Sequence, residues 1–366
     1  MTKLRDICRF QSGGTPSRGT PAYFNGNVPW ITTVALNGDV IDGNQAIEWI
    51  TDEAIAKSAA KIVPPHSVMV GTRVGIGKVA INSVPMSTSQ DIISLIGIDE
   101  NKWDKKFICH LITANKEHLT SQARGATIKG IKIEAIADLV LPEISLKEQA
   151  RISEVIGKVD ALMHMHQQMA MNLEQLIKSR FIELFGDYDL THPQESWVTI
   201  KEIGTVVGGA TPKTDHDEYW GGSYRWITPA ELDGDSGYIY DSVRKLTKAG
   251  VESCSLQEMP VGTVILSSRA PIGKVAIAGN TFYCNQGFKN IICKEGITPR
   301  YLYTVLLLNV EYLNSLGRGA TFKEISKGIV ESIRIPVPSM ELQQQFAAFV
   351  EQTDKSKLCG KMGVAA

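Results

Sequence analysis

The pattern of apolar and polar positions divides the chain into two textures. Residues 1–144 and 187–338 alternate short apolar runs, such as SVMVG at 67–71, with turns rich in glycine and proline. Runs of this length bounded by turn residues predict short β-strands with a few helices between them. Residues 145–186 contain no proline and, before their final residue, a single glycine. This segment is predicted to form one long helix.

Seam positions in the predicted helix recur at alternating spacings of three and four residues, as in a coiled coil. Besides His166, the seam consists of Ile152, Val155, Val159, Leu162, Met169, Leu173 and Leu176. At about 1.5 Å per residue the helix would extend roughly 60 Å, enough to act as a spacer between two domains. Methionines 163, 165, 169 and 171 indicate either an adaptable docking surface or ordinary seam packing.

A second periodic segment, at 339–357, predicts a shorter helix whose aromatic seam residues are Phe346 and Phe349. Residues 358–366 contain two glycines and no heptad seam, so an irregular tail is expected there. If the two helices pair in antiparallel fashion, the shorter one lies against 168–186 and leaves 146–166 uncovered. We therefore expect the chain to self-associate through that surface or to have it covered by another subunit.

The two β-rich segments are copies of one another. Trp30-Ile31-Thr32 matches Trp226-Ile227-Thr228 at an offset of 196 residues, and the offset is 194 where RGATIK at 124–129 matches RGATFK at 318–323. A repeat of this length predicts two domains with one fold. The expected divisions are a first domain at 1–144, a central helix at 145–186, a second domain at 187–338, a distal helix at 339–357 and a tail at 358–366.

Each copy contains a glycine-rich loop ending in Gly-Lys, GTRVGIGKVAI at 71–81 and SSRAPIGKVAI at 267–277. A phosphate-binding P-loop needs Gly, four residues, Gly-Lys and then Ser or Thr. Here the spacing from Gly71 is one residue too long, and Val79 follows Lys78. Pro271 and Ser267 replace two of the glycines in the second copy. A nucleotide-using enzyme is therefore the least favoured of the alternatives.

Composition narrows the classes of protein that fit. The 366 residues are 43% hydrophobic and 21% charged, as in ordinary globular domains, and no apolar run is long enough to span a membrane. The N-terminal stretch lacks the order of a signal peptide, so a cytoplasmic location is expected. Six cysteines without a CxxC pair suggest neither a zinc site nor a disulfide framework. The net charge of −1 means that any DNA contact must come from local basic patches.

These features together resemble the specificity subunit of type I restriction-modification systems. The residues that carry the resemblance are SGGTPSRGTPAYF and VPWITT in the first copy, GGATPKTDHDEYWGG and YRWITP in the second, the two IGKVAI loops, the two RGAT segments, and LPEISLKEQARI before the long helix. The resemblance implies an α+β fold with two β-rich target-recognition domains, separated by long spacer helices packed antiparallel as a coiled coil. Each domain would read one half of a split double-stranded DNA sequence.

The same resemblance implies partners and a division of labour. Modification subunits would methylate adenine with S-adenosylmethionine, and restriction subunits would translocate and cut DNA with ATP. The chain itself would bind no cofactor and carry no catalytic residue. A duplicated scaffold that binds only protein remains the alternative from a different class.

The residues also favour a non-catalytic chain. The segment VPPHS at 63–67 lacks the acid or amide and the aromatic residue with which an adenine methyltransferase grips a flipped base. His164 and His166 are two residues apart on a helix, so they face different directions and cannot form an i, i+4 metal pair. No metal site is expected.

Arginine, lysine and asparagine side chains in the repeated loops have the chemistry to contact DNA bases or phosphates. The candidates are Arg18, Asn37, Arg73, Lys78, Arg124, Lys129, Lys213, Arg225, Arg269, Lys274, Arg318 and Lys323. For the cations of the Gly-Lys loops, a phosphate contact and a solvated turn fit the sequence equally well. The cations of the RGAT segments fit a structural role slightly better, tying each domain to its helix.

Positions that differ between the copies are expected to discriminate bases, because two half-sites must be read differently. Examples are Arg18 against Thr214 and Asn37 against Asp233. Trp30 and Trp226 are identical in the two copies and lie in apolar runs. They are expected to pack in the core rather than to stack on a base.

Overall fold

The computed structural model describes residues 1–38, 40–125, 129–232, 237–269, 271–319 and 323–365, with side chains described up to residue 356. The chain divides into two compact units, Met1–Met163 and His164–Ala366. The boundary between them falls within the long helix, so each unit includes a part of that helix.

Unit 1 is built on two sheets of short strands. The strands are β1 (Arg9–Ser12), β2 (Phe24–Ile31), β3 (Val40–Ile41), β4 (Glu48–Ile50), β5 (Ile62–Val63), β6 (Val68–Gly71), β7 (Val79–Asn82), β8 (Met86–Thr88) and β9 (Ile92–Ile96). One sheet has the order β1-β9-β6-β7-β3, and the other has the order β4-β2-β8-β5. Strands β6 and β7 are buried along their whole length, which explains their continuous apolar runs.

The helices of unit 1 connect and cover these sheets. They are α1 (Asp52–Lys57), α2 (Lys105–Ala114), α3 (Lys116–Ser121), α4 (Ile133–Ala137) and the first part of α5 (Leu146–Phe185). Helix α2 begins after Asp104, whose carboxylate accepts a hydrogen bond from the backbone N–H of Phe107. Such an N-cap satisfies one of the free amides of the first turn. The apolar face of α2, including Ile108 and Ile112, packs into the same core as β6 and β9.

Unit 2 repeats the five-stranded sheet with the same strand order. Its strands are β10 (Val198–Thr199), β11 (Gly204–Gly208), β12 (Trp220–Ile227), β13 (Tyr238–Ile239), β14 (Arg244–Leu246), β15 (Val264–Leu266), β16 (Val275–Ala278), β17 (Tyr283–Cys284), β18 (Lys289–Cys293) and β19 (Arg334–Ile335). The sheets run β11-β18-β15-β16-β13, β14-β12-β17 and β10-β19. The register repeats too: Val68 pairs with Ile81 in unit 1, and Val264 pairs with Ile277 in unit 2. The predicted duplication is confirmed.

The helices of unit 2 enclose an aromatic core. They are α6 (Ile200–Ile203), α7 (Lys248–Glu252), α8 (Pro299–Leu308), α9 (Val310–Ser315), α10 (Lys327–Ser332) and α11 (Met340–Ala365), together with the second part of α5. The ring of Phe181 on α5 stacks at 5.6 Å on Tyr301 of α8 and meets Phe346 of α11 edge-on at 5.4 Å. Three helices are thus joined by rings buried in one cluster.

The two long helices differ in how well the sequence predicted them. Helix α5 was expected at 145–186 and runs Leu146–Phe185. The irregular tail expected at 358–366 is wrong, since α11 continues to Ala365. Each glycine costs a helix only about 1 kcal/mol relative to alanine, and the other residues of that stretch include good helix formers. Two glycines are not enough to end a helix whose earlier turns are already stabilised by packing on the rest of the unit.

Contacts between α5 and α11 follow the antiparallel order within unit 2. Phe346 touches Phe181 and Phe185, and Phe349, one turn later, lies 5.8 Å from the guanidinium of Arg180. Leu176 is nevertheless 49% exposed. The part of α11 with described side chains therefore packs on α5 near Phe181 and Phe185 but leaves Leu176 half exposed.

Candidate nucleic-acid interface

The two Gly-Lys loops lie at 71–78 between β6 and β7 and at 267–274 between β15 and β16. Each is closed by backbone hydrogen bonds among its described residues. In unit 1 the backbone N–H of Gly71 donates to the carbonyl of Lys78 at 2.8 Å, and that of Gly77 donates to Gly71 at 3.0 Å. In unit 2 the equivalent bonds join Ser267 to Lys274 at 2.9 Å and Gly273 to Ser267 at 3.1 Å. These amides are used inside the turn, so they cannot wrap a nucleotide phosphate as a P-loop does.

In each unit, the arginine of the RGAT segment pairs with the residue six positions later, beside the Gly-Lys turn. In unit 1, Arg124 and Gly130 exchange two backbone hydrogen bonds, and Ile131 donates its N–H to the carbonyl of Thr72 at 2.8 Å. In unit 2 the matching bonds join Arg318 with Glu324, and Ile325 donates to Ser268 at 2.9 Å. We call the described residues of these paired segments the basic double hairpin: 71–78 with 124–125 and 129–130 in unit 1, and 267–269 and 271–274 with 318–319 and 323–324 in unit 2.

Each basic double hairpin brings exposed cations together. Arg73, Lys78, Arg124 and Lys129 are exposed in unit 1, and Arg269, Arg318 and Lys323 are exposed in unit 2. Residues 126–128, 270 and 320–322 lie outside the described part of the chain, and Thr127 and Thr321 of the RGAT segments are among them. Sequence reasoning selected these cations one by one, whereas the structure shows that the two loops of each copy form one surface.

An open cleft of about 880 Å³ lies along the basic double hairpin of unit 1. Its lining includes Arg73 and Arg124 together with Ser121, Gln122 and Lys132. Arginine, lysine, hydroxyl and amide groups are the side chains that bind the sugar-phosphate backbone of DNA. The cleft is therefore chemically suited to a polyanion.

Acidic neighbours distinguish the two copies. In unit 1, Arg73 lies 3.6 Å from the carboxylate of Asp91. In unit 2, Glu324 accepts hydrogen bonds from Nε of Arg269 at 2.9 Å and from Nζ of Lys289 at 3.1 Å. Burial raises the pKa of Glu324, but the bonds from Lys289 and Arg269 outweigh it and hold the pKa below its ordinary value. Glu324 is thus ionised at neutral pH and offsets part of the positive charge of its hairpin.

The remaining DNA candidates have varied surroundings. Asn37 and Lys213 are exposed, and Arg225 donates from Nε to Asp241 at 3.2 Å. Lys274 is half-buried and donates to the carbonyl of Pro229 at 3.2 Å, unlike its exposed counterpart Lys78. The counterpart of Asn37 in the second copy, residue 233, lies outside the described residues.

Both tryptophans of the WIT motifs are core residues, as expected. Trp30 and Trp226 are almost fully buried, and their indole N–H groups donate to the carbonyls of Gly14 at 3.0 Å and Ala210 at 3.1 Å. Each ring anchors the loop that carries a Thr-Pro pair, at 15–16 in unit 1 and at 211–212 in unit 2. Neither ring is open to stack on a base.

In both units an arginine lies against a pair of aromatic rings, which is Phe24 with Trp30 in unit 1 and Trp220 with Trp226 in unit 2. The arginine comes from a different position of the repeat in each unit. In unit 1 it is Arg18, whose guanidinium is 4.8 Å from the ring centre of Phe24 and also binds Glu48. In unit 2 it is Arg244, which is 3.5 Å from the ring centre of Trp220. Arg244 was not predicted, although the repeat alignment places it opposite Glu48 and so reveals a reversal of charge.

Two buried glutamines join the long helices to their units, and sequence reasoning missed both. The Gln149 side chain of α5 accepts from the N–H of Asp104 at 3.0 Å and donates to the carbonyls of Lys102 and Ile144. In unit 2, Gln343 makes the same three kinds of bond to Thr298, Gly296 and Pro338. The signal that could have found them is their match at the offset of 194 residues.

The predicted seam of α5 is largely exposed. Ile152, Val155, Val159 and Leu162 are 38 to 54% exposed, Met169 is exposed as well, and Leu173 is half-buried. Val155 and Ile152 also line a shallow groove of about 370 Å³ on the same helix. We call the first four residues the α5 stripe. The neighbouring methionines 163, 165 and 171 are exposed too, which gives this surface an adaptable apolar rim.

Neither a metal-binding cluster nor a membrane-spanning helix is present among the described residues. They contain no cluster of three or more histidine, cysteine, aspartate or glutamate side chains that could hold a metal ion. In the same part of the chain, no helix combines the length and apolarity needed to cross a bilayer.

The chain is similar in sequence to specificity subunits of type I restriction enzymes. The chain is 42% identical over 185 residues to the type I restriction enzyme MjaIX specificity subunit of Methanocaldococcus jannaschii, a match covering 49% of this chain and 43% of the relative. It is 30% identical over 222 residues to the EcoR124I/EcoR124II specificity subunit of Escherichia coli, covering 58% and 53%. These matches span about half the length of each relative.

Solved structures show the same fold. The crystal structure of the type I restriction-modification S subunit from M. genitalium superposes with a TM-score of 0.61 at 16% identity, over 100% of this chain and 91% of that one. A chain from a study of assembly and conformational transition of the type I R-M system gives 0.54 at 17% identity, over 100% and 92%.

A family model covers nearly the whole chain. The model of the type I restriction modification DNA specificity domain matches twice, at residues 1–175 and 195–359. The two matches coincide with the two copies that the repeat and the strand order define. The chain therefore belongs to the family of type I restriction modification DNA specificity domains.

Proposed function

We propose that this chain is the DNA specificity subunit of a type I restriction-modification complex, in which each unit reads one half of a split DNA sequence. The observation that carries the proposal is the basic double hairpin, which recurs with equivalent backbone bonds in both units of a chain from this family. Two copies of one binding surface with different side chains are suited to two half-sites of different sequence.

We further propose that the chain supplies recognition and that its partners supply the chemistry. Modification subunits would carry S-adenosylmethionine and restriction subunits would carry ATP, so the chain would bind no cofactor of its own. The α5 stripe supports docking of a modification subunit, because it offers exposed apolar side chains on a rigid element. A subunit that reads genomic DNA in a bacterial or archaeal cell would work in the cytoplasm.

The decisive experiment is to express the chain with its cognate modification subunits and to map methylated adenine in the DNA of the host. We expect a split motif that disappears when the gene for this chain is deleted. Methylation without a motif, or a motif that persists after deletion, would contradict the proposal. A chain that binds its partner subunits but leaves DNA unmethylated would instead favour a protein-binding scaffold.

A domain exchange tests the assignment of one half-site to each unit. Replacing residues 1–144 by the corresponding domain of a relative with a different target should change one half of the methylated motif and leave the other intact. A change in both halves would show that the units do not read DNA independently.

A further inference from the structure

Each unit holds an arginine against an equivalent pair of aromatic rings. In the part of the chain that the structure describes, the arginine is paired with a carboxylate in unit 1 but not in unit 2. The pair is Phe24 with Trp30 in unit 1 and Trp220 with Trp226 in unit 2, matched at the offset of 196 residues. In unit 2 the two indoles meet edge-on at 5.1 Å. The pair thus offers one built surface on which a planar cation can lie.

In unit 1 the guanidinium on this surface is already occupied. Arg18 donates from both Nη atoms to Glu48, and the Nη2 bond to Oε2 is 2.7 Å long. These hydrogen bonds hold the pKa of Glu48 below its ordinary value, so the pair stays ionised at neutral pH. A guanidinium bound at two nitrogens by a carboxylate has its recognition fork filled and its charge neutralised.

In unit 2 the guanidinium of the corresponding arginine is not bound by a carboxylate of the described residues. Arg244 stands where unit 1 has Glu48, and its guanidinium carbon is 3.5 Å from the centre of the Trp220 ring and 5.3 Å from that of Trp226. Among the residues that the structure describes, Arg244 has no carboxylate within ion-pair distance. The nearby acid Asp241 is bound by Arg225 at 3.2 Å and by Lys245 at 3.1 Å.

The surroundings of Arg244 suit a DNA edge. It lies on β14, an edge strand, and is exposed to solvent. The indole N–H of Trp220 donates to the backbone carbonyl of Lys213 at 3.2 Å, which places the backbone of an exposed lysine beside the ring. Contact with the indole restricts the arginine before any ligand arrives, so less conformational entropy is lost on binding.

We propose that Arg244 reads a guanine in the half-site bound by unit 2, while the equivalent surface of unit 1 is closed by Glu48. The inference rests on the proposed function. An arginine fork matches the O6 and N7 acceptors of guanine, and this is the commonest specific contact between protein and DNA. Its presence in one copy only is what discrimination between two different half-sites requires, whereas phosphate contacts would serve both halves alike.

The test is to map the methylated motif produced with cognate modification subunits by the wild-type chain and by Arg244→Lys. Lysine keeps the charge but lacks the fork. We expect one guanine position in the half assigned to unit 2 to become relaxed, with discrimination falling roughly tenfold or more, and the other half to be unchanged. Arg334→Lys is the matched control in unit 2, because within the described part of the chain its Nη1 donates to two backbone carbonyls, those of Glu195 and Trp197.

The possible outcomes separate this inference from the function on which it rests. If the wild-type chain gives no split motif, the proposed function fails. If it gives one and Arg244→Lys leaves every position as selective as before, the inference fails. Methylation reduced equally at all sequences would assign Arg244 to phosphate and would also overturn it. Arg244→Gln, with a thermal unfolding midpoint for both variants, shows whether any loss reflects misfolding.

Discussion

At the scale of single residues, the charge of the Gly-Lys turns remains available for DNA. The side chains of Arg73 and Arg269 are 49% and 45% exposed despite their carboxylate neighbours. Ion pairs this exposed contribute little to stability. Arg73 lies 3.6 Å from its carboxylate and Arg269 donates to its carboxylate from Nε, whereas Arg18 donates to Glu48 from both Nη atoms, so the first two guanidinium groups yield more readily to a competing anion. Phosphate can therefore replace Asp91 or Glu324 as the partner of the guanidinium.

We predict that Arg73→Ala and Arg269→Ala each weaken DNA binding and flatten its dependence on salt. Each lost phosphate contact should lower the slope of log affinity against log salt by about 1, because fewer counterions are released. Titration of a target duplex at several salt concentrations measures both effects. Lys57→Ala is the control, since Lys57 is an exposed helix cation paired with Glu53. If the variants bind DNA as tightly as the wild-type chain at every salt concentration, both arginines are solvated turn residues that do not contact phosphate.

Arg18 shows the limit of predicting contacts from residue type. Its difference from Thr214 suggested base discrimination, and the sequence gives no hint that Glu48, 30 residues away, binds it. That pairing depends on β2 and β4 lying side by side, with Trp30 opposite Glu48. The sequence shows which groups a side chain could bind. Whether a neighbouring residue already binds that side chain follows only from the fold.

At the scale of elements, the Gly-Lys turns need glycine for space as well as for backbone conformation. Gly273 has a φ of +89°, and a Cβ there would lie 2.9 Å from Cγ1 of Val310. Gly296 has a φ of +95° with nothing within 4 Å of a built Cβ. The two positions share the backbone requirement and differ in crowding.

Replacing each of these two glycines by alanine separates the cost of the left-handed backbone from the cost of crowding. Both variants should lose about 1 kcal/mol to the left-handed backbone, and Gly273→Ala should lose about 1 kcal/mol more because Val310 must move. Thermal unfolding of the two variants beside the wild-type chain makes the comparison. Equal losses would show that the turn relaxes away from α9 without cost.

The glutamine junctions make a second prediction at this scale. Gln149→Ala leaves the N–H of Asp104 and the carbonyls of Lys102 and Ile144 without their partner in a buried site. We expect a loss of about 2 to 4 kcal/mol in the stability of unit 1. Gln168→Ala is the control, because Gln168 is exposed on the same helix and bonds only to Asn172. Hydrogen exchange at the start of α5 would follow the junction directly, and similar protection in both variants would refute its importance.

The sequence predicted elements best where a pattern was long. The heptad seam and the missing prolines gave α5 to within one residue at each end, and the repeat gave equivalent strands in the two units. The glutamines were missed because a polar residue in an amphipathic helix ordinarily faces solvent. Their burial results from the loops before each helix, whose carbonyls and amides no periodicity reveals.

At the scale of the whole molecule, duplication sets the architecture and divergence sets the function. Backbone bonds of the basic double hairpins are the same in both units, but Gly130 in unit 1 becomes Glu324 in unit 2, and Glu48 becomes Arg244. Substitutions that change charge on an unchanged backbone can alter which ligand a surface binds without altering the fold of the chain. The repeat could therefore be predicted from the sequence, whereas the surroundings of the side chains that we propose to read DNA needed the structure.

The α5 stripe leads to the last prediction, which concerns assembly. Ile152, Val155, Val159 and Leu162 are already about half buried, so covering what remains exposed is worth on the order of 3 to 6 kcal/mol as an upper estimate, which favours contact with another protein surface. Val155→Lys with Leu162→Lys should reduce both self-association in light scattering and co-purification with modification subunits. Gln168→Lys with Gln175→Lys adds the same charge at the same spacing to exposed polar positions, and should change neither. If the stripe variant remains as associated as wild type, the stripe is not an interface, and docking must use another surface of the chain.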